Sequence, residues 1–309
     1  MPRDASDGQP VYAAQSARAL GSRLMSVAQF AQALDEISKP HRRDENFRWF
    51  IEAAYCALAK RTALDEARAI ALEARYMAVV GQYADDKRGA MSRMSELLGR
   101  LWVTVSDYDG DYLGEAYMSE ELALRSRPRG QYFTPYPLAR MMAKMQVSRE
   151  HVDAVIAQGG PVTVMEPACG TGVFIIAFAE EIREMKLDPA QVMLATLVDV
   201  DALCIQMAFL QMWMKNIPAI CIQGNSLAMT EVERACTPAA LLQRWPAKSE
   251  GDQGVVDGKA PGGCTTQPET PSEAPTPAVE PLECRETFQR PSPPRPAVFE
   301  QADLFGPDE

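Results

Sequence analysis

Nine consecutive residues carry the clearest chemical signal in the sequence: Val164-Met165-Glu166-Pro167-Ala168-Cys169-Gly170-Thr171-Gly172. They join a buried apolar run, Val162 to Met165, that reads as a strand to a stretch from Gly172 to Lys186 that reads as a helix. Glycines in such a turn let a ligand come close to the backbone at the C-terminal edge of a sheet, where the helix N-terminus offers unpaired N–H groups. Several nucleotide cofactors use that geometry, and residue types discriminate among them. A nicotinamide fingerprint wants a third glycine where Ile175 stands, and the phosphate-binding loop wants a Gly-Lys-Ser/Thr triplet that does not follow. Glu166 would repel a dinucleotide's phosphates, yet it suits a cationic amino group such as that on the methionine part of S-adenosylmethionine.

Two further strand ends add polar groups. Leu197-Val198-Asp199-Val200-Asp201 closes the next apolar run, and an acid there can accept hydrogen bonds from both ribose hydroxyls of an adenosine-containing cofactor. Asp199 is the residue chosen for that role. The third run ends in Gly224-Asn225-Ser226, where Asn225 could bind the adenine amino group. Any one of these could simply close a strand or cap a helix. At successive strand ends they reinforce one another.

The elements that must position these residues follow from periodicity. Val162 to Met165, Met193 to Val200 and Ala219 to Gln223 read as strands, with Gly172 to Lys186 and Ala202 to Lys215 as the helices between them. That β-α-β-α-β order predicts an α/β fold with a parallel sheet. Upstream, Leu20 to Leu124 is helical in pattern: Phe47, Phe50, Ile51, Ala54, Tyr55 and Leu58 recur at three- and four-residue spacing. One helix is expected from about Asp44 to Tyr83 with a break near Thr62. Another is expected from about Met91 to Val105, with Met94, Leu97, Leu98 and Leu101 on its face. Arg127-Pro128-Arg129-Gly130 marks the boundary between the two regions. Residues 1–127 thus form a helical domain and 128–246 the α/β domain. Residues 247–298, with ten prolines and no apolar periodicity, read as a disordered Pro-rich linker.

Composition narrows the classes. The apolar stretches are far shorter than the roughly 20 residues of a membrane span, and the first ten residues lack a secretory apolar segment, so a cytoplasmic protein is expected. The seven cysteines hold no Cys-x-x-Cys pair and read as reduced thiols; with only His41 and His151, no metal site is expected. The net charge of -11 is mostly local: residues 247–309 hold 12 acids and 5 bases, leaving 30 acids against 26 bases before them. Only His41-Arg42-Arg43 and the group Arg125, Arg127, Arg129, Arg140 and Lys144 could meet phosphate, and such clusters are more often solvated surface.

Gly130-Gln131-Tyr132-Phe133-Thr134-Pro135, followed by a helix, resembles the motif that precedes the cofactor loop in γ-type adenine-N6 DNA methyltransferases. The same family supplies Glu-Pro-Ala-Cys-Gly-Thr-Gly almost letter for letter. Asp111-Tyr112-Leu113-Gly114-Glu115-Ala116-Tyr117 is similar to the Asp-x-Leu-Gly-x-x-Tyr segment that ends the helical domain of type I modification subunits. The resemblance covers residues 111 to 226. It implies a Rossmann-like methyltransferase sheet, here truncated, S-adenosylmethionine as cofactor, and DNA as a partner. By match, Thr134 and Glu166 would contact the methionine portion, Asp199 the ribose and Asn225 the cofactor adenine. Tyr132, Phe133, Pro135, Ala168, Gly170, Thr171 and Gly172 complete the expected binding set.

One departure is large. Adenine methyltransferases carry Asn/Asp-Pro-Pro-Tyr/Phe after the fourth strand to hold the flipped adenine, and no such tetrapeptide exists here. The fourth to seventh strands of the family are expected to be missing, and no catalytic residue can be named. Short proteins of this shape, often carried on mobile elements, are assigned to the family, which links them to restriction-modification. Two readings stay open: an adenine-N6 methyltransferase completed by a catalytic or specificity partner subunit, and an inactive cofactor-binding partner or regulator at the replication fork. Methylation of a substrate other than DNA is a weaker third. Finally, Gln301-Ala302-Asp303-Leu304-Phe305, within the terminal peptide 299–309, is similar to the peptide by which bacterial replication and repair proteins dock into the sliding clamp. Gln301, Asp303, Leu304 and Phe305 would be its contacts.

Overall fold

The computed structural model describes residues 24–119, 122 and 132–243. The expected domain boundary at 127, the proline-rich segment, the pair Gly130-Gln131 and the peptide Gln301 to Phe305 lie outside the described residues.

Helices come first: α1 (Val27–Ile37), α2 (Arg43–Ala59), α3 (Glu66–Gln82), α4 (Lys87–Asp107) and α5 (Tyr112–Met118). Four of the five starts have a side-chain cap. Ser26 and Gln29 form a reciprocal capping box on α1, and Asp65, Asp86 and Asp111 each accept the N–H three residues on, at the starts of α3, α4 and α5. The long helix expected from Asp44 to Tyr83 is interrupted at Lys60–Thr62 by a 3₁₀ turn, beside the flagged Thr62. Leu98, expected on the buried face of α4, is only half-buried, whereas Ala90, Met94, Leu97, Leu101 and Val105 are buried. Phe30 meets Phe47, Phe50 and Tyr112 edge-on or tilted at the centre of this helical core.

Next come α6 (Tyr136–Gln146), α7 (Arg149–Ala157), β1 (Val162–Glu166), α8 (Val173–Glu184), the short α9 (Pro189–Val192), β2 (Met193–Asp199), α10 (Ala202–Met214), β3 (Ala219–Asn225), β4 (Thr230–Cys236) and α11 (Pro238–Leu242). The sheet order is β1-β2-β3-β4. The first three strands are parallel, as the alternation of elements requires, and β4 pairs antiparallel with β3. The chain turns back after Asn225 and adds an antiparallel strand that the sequence reading missed. Charged side chains along its edge, Glu231, Glu233 and Arg234, hid it, and they suit an outer strand.

Right-handed crossovers in one direction along the sheet put α8 and α10 on the same face. The register directs Met193, Ala195, Leu197, Ala219 and Cys221 to that face, all fully buried. Helix α10 packs on β2 and β3 and also on α2, α4 and α5, so it is buried on nearly every side and apolar all round. The opposite face carries Thr163, Met165, Leu194, Thr196, Ile220 and Ile222, none of them fully buried, together with Val198, which is buried; Met165 is 58% exposed. Parallel strands ordinarily have both faces covered. Among the described residues this sheet has one fully covered face, one only partly covered, and a β1 edge with no strand beside it.

Glu233 of β4 ties the sheet to the helical region. Its carboxylate accepts hydrogen bonds from Tyr55 Oη (2.9 Å), Arg68 (2.6 Å) and Arg75 (2.7 and 2.8 Å). Arg75 also donates to Glu52, which accepts from Gln206 of α10.

Candidate functional site

The turn between β1 and α8 is built by two left-handed glycines, Gly170 at φ +53° and Gly172 at φ +88°. The Cys169 N–H donates to Val198 O (2.9 Å) and the Gly170 N–H to Asp199 Oδ2 (2.8 Å), so the loop is fastened to the C-terminal end of β2. The other oxygen of Asp199 accepts the Asp201 N–H at 2.9 Å. Helix α8 begins at Gly172 with no side-chain cap, which leaves first-turn N–H groups for another acceptor.

A cleft of about 310 Å³ opens on this loop, lined by Tyr132, Phe133, Thr134, Ala168, Cys169, Gly170, Thr171, Val173 and Asp199. Of the expected set, Tyr132, Phe133, Thr134, Ala168, Gly170, Thr171 and Asp199 meet there. Pro135, Glu166, Gly172 and Asn225 are not among the lining residues. Pro135 instead precedes the first turn of α6, whose backbone it begins by accepting the N–H groups of Leu138 and Ala139. Gly172 faces the core, where a Cβ would stand 3.0 Å from Met212 Cε. Asn225 is exposed, and its Oδ1 accepts the N–H groups of Leu227 and Ala228, both at 3.0 Å, to shape the turn into β4. The lining residues Cys169 and Val173, absent from the expected set, flank its glycines in sequence and were findable on that ground.

Glu166 ends β1, two residues before the lining segment. It is half-buried, no described residue pairs with its carboxylate, and burial alone pushes its pKa above the ordinary carboxylate range. An unpaired, partly desolvated carboxylate beside a cleft is stabilised by a cationic ligand group. The Cys169 thiol is also pushed well up, chiefly by burial, which disfavours its thiolate form.

The cleft is braced from outside. Thr171 is buried, and its hydroxyl donates to Asp111, so it offers the cleft backbone rather than side chain. Asp111 also accepts from Gln211 Nε2 (2.6 Å) and the Gly114 N–H (2.8 Å); burial raises its pKa, and the donors Thr171, Gln211 and Gly114 oppose that rise. Phe133 stacks on Tyr117, with ring centroids 5.6 Å apart.

Residues 108–238 match the N-6 DNA methylase family. The match spans the helix α5, the cleft and the whole described sheet. The glycine loop and the Tyr132-Phe133-Thr134 segment, the two walls of the cleft, both lie within the matched residues. No curated protein matches the chain significantly. Among solved structures, one described as a class I S-adenosylmethionine-dependent methyltransferase of Listeria monocytogenes aligns at 15% identity over 62% of this chain, with a TM-score of 0.30. The chain spans 51% of that protein's length.

Of the basic residues considered for phosphate contact, Arg125, Arg127 and Arg129 lie outside the described residues, and four others stand near carboxylates. Arg140 pairs with Glu181 and Glu184, and Lys144 lies 3.9 Å from Glu181; Arg43 pairs with Asp35, and Arg42 lies 3.7 Å from Glu45. Among the described residues no helix is long and apolar enough to cross a membrane.

Proposed function

We propose that the chain binds S-adenosylmethionine in the cleft at the ends of β1 and β2, and that it is the cofactor half of an adenine-N6 DNA methyltransferase whose target-base elements come from a partner chain. The observation that carries the reading is the cleft itself, in which the glycine loop, Thr134 and Asp199 converge inside the segment that matches N-6 DNA methylases. The residues fit the cofactor chemically. Glu166 is an orphan carboxylate suited to the methionine amino group. Asp199 already holds two N–H groups, but a carboxylate has about four acceptor positions and retains room for ribose hydroxyls. The cofactor would supply a methyl group activated on a sulfonium for in-line transfer to the N6 lone pair, and this chain's part in that step is positioning.

Two features favour completion by a second chain. The β1 edge has no strand beside it, and the opposite sheet face presents Met165, Ile220 and Ile222 without a covering helix among the described residues. The absence of Asn/Asp-Pro-Pro-Tyr/Phe from the sequence supports a second reading, an inactive cofactor-binding regulator. In either reading the protein would work in the cytosol, and Gln301, Asp303, Leu304 and Phe305 would tether it to the sliding clamp.

Calorimetry with S-adenosylhomocysteine tests the cofactor site: saturable binding is expected, and none at millimolar ligand would defeat it. Transfer of tritiated methyl to unmethylated duplex DNA separates the other readings. Incorporation by the chain alone, lost in Asp199→Ala, would overturn the need for a partner and the inactive regulator together.

A further inference from the structure

Helix α5 lies outside the cleft, yet three residues at three-residue spacing along it, Asp111, Gly114 and Tyr117, each meet a part of the cleft's two walls. Spacing of three and six places them close to one face of the helix. Asp111 caps the helix and binds the Thr171 hydroxyl of the glycine loop. Gln211 of α10 closes the triangle: its Nε2 donates to Asp111 and to Thr171 O (3.0 Å), while its Oε1 accepts the Leu113 N–H (3.1 Å). At Gly114 a Cβ would overlap the Asp111 carboxylate and stand 2.5 Å from Thr171 Oγ1, so only glycine lets the helix come this near the loop. Tyr117 stacks on Phe133, and Phe133 in turn lies 3.2 Å from where a Cβ on Gly170 would be. One end of the short helix thus grips the glycine loop and the other presses the Tyr-Phe-Thr-Pro wall against it.

We infer that α5 is the positioning element of the cofactor cleft, a clamp that sets the distance between its two walls from the helical side through Asp111, Gly114 and Tyr117. The inference rests on the cofactor reading for its ligand, but not for its geometry. None of the three residues lines the cleft, so their effect on binding would pass through the loop and Phe133. The arrangement also makes ligand binding and the docking of the helical region mutually dependent, since each holds the same loop.

The test uses the full chain. With S-adenosylhomocysteine as the probe, Gly114→Ala and Tyr117→Leu are expected to bind about tenfold more weakly or worse, as small misplacements of a site cost; Tyr117→Phe, which keeps the stacked ring, restores affinity. Folded variants that bind as tightly as the unaltered chain would overturn the clamp. Failure of the unaltered chain to bind would reject the cofactor reading instead. Hydrogen exchange without ligand judges the clamp on its own: in both weakened variants the amides of residues 168–172 should exchange faster while those of α10 hold their protection. Loop protection equal to that of the unaltered chain, or loss spread evenly over the sheet, would refute it.

Discussion

The two left-handed glycines of the loop after β1 should fail in different ways when each is given a methyl group. At Gly172 the added Cβ meets Met212 Cε at 3.0 Å and Leu197 Cδ2 at 3.2 Å, both in the packed core. The left-handed conformation costs an L-residue about 1–2 kcal/mol. Overpacking a core adds about 1–3 kcal/mol. Gly172→Ala should therefore lose about 2–5 kcal/mol, which at about 2–4 °C per kcal/mol for a chain of this size lowers the unfolding midpoint by about 4–20 °C. At Gly170 the backbone penalty is similar, but the Cβ meets only the ring of Phe133, at 3.2 Å, and that ring borders open space and can yield into the cleft. Gly170→Ala should stay within about 1–2 kcal/mol of the starting stability yet weaken S-adenosylhomocysteine binding. Thermal unfolding read beside calorimetric titration separates the two. The reasoning fails if Gly172→Ala is no less stable than Gly170→Ala, or if Gly170→Ala binds the probe at full affinity.

Further outcomes follow from other contacts. Burial pushes the Glu233 carboxyl up, but Arg75, the Tyr55 hydroxyl and Arg68 outweigh it and hold the carboxyl below its ordinary value. Its stabilising contribution is thus complete above the unfolded carboxylate range and is lost as pH falls through the lowered folded value. Urea unfolding of Glu233→Gln should match this by showing a large deficit at pH 7 that shrinks toward pH 3; a pH-independent deficit would contradict it. Met165→Lys on the open sheet face should change stability by no more than about 0.5 kcal/mol while blocking any strand-adding partner, which chemical denaturation and co-purification can check. Deleting Gln301 to Phe305 should abolish pull-down by the sliding clamp, and unchanged recovery would make the motif accidental.

What the sequence made legible was whatever rests on local periodicity. The three parallel strands and the helices α8 and α10 are short apolar runs punctuated by polar closures, and the glycine loop announces its own turn. Strand β4 was illegible because its stabilising contacts are remote: Glu233 finds its partners on α2 and α3, and only Ala235 of the strand is buried. The same holds for the clamp. Asp111 could be matched to a motif, but its partners Thr171 and Gln211 lie 60 and 100 residues away, and nothing in spacing joins them. The pairing of Arg140 was illegible for a related reason, since Glu181 sits on another helix.

The uncovered sheet face gives the chain's acidity a second meaning. A half-wet sheet carrying Met165, Ile220, Ile222 and Val232, the last 74% exposed, with a β1 edge unpaired among the described residues, is a surface on which copies can stack. A net charge of -11 opposes that stacking by mutual repulsion. The repulsion reaches only about 8 Å at physiological salt and about 3 Å at 1 M. The apolar attraction has no such dependence. Colloidal behaviour should then invert with ionic strength: dilute buffer keeps the chain dispersed, added salt drives it into larger particles, and a molecule that lies on the face removes the difference.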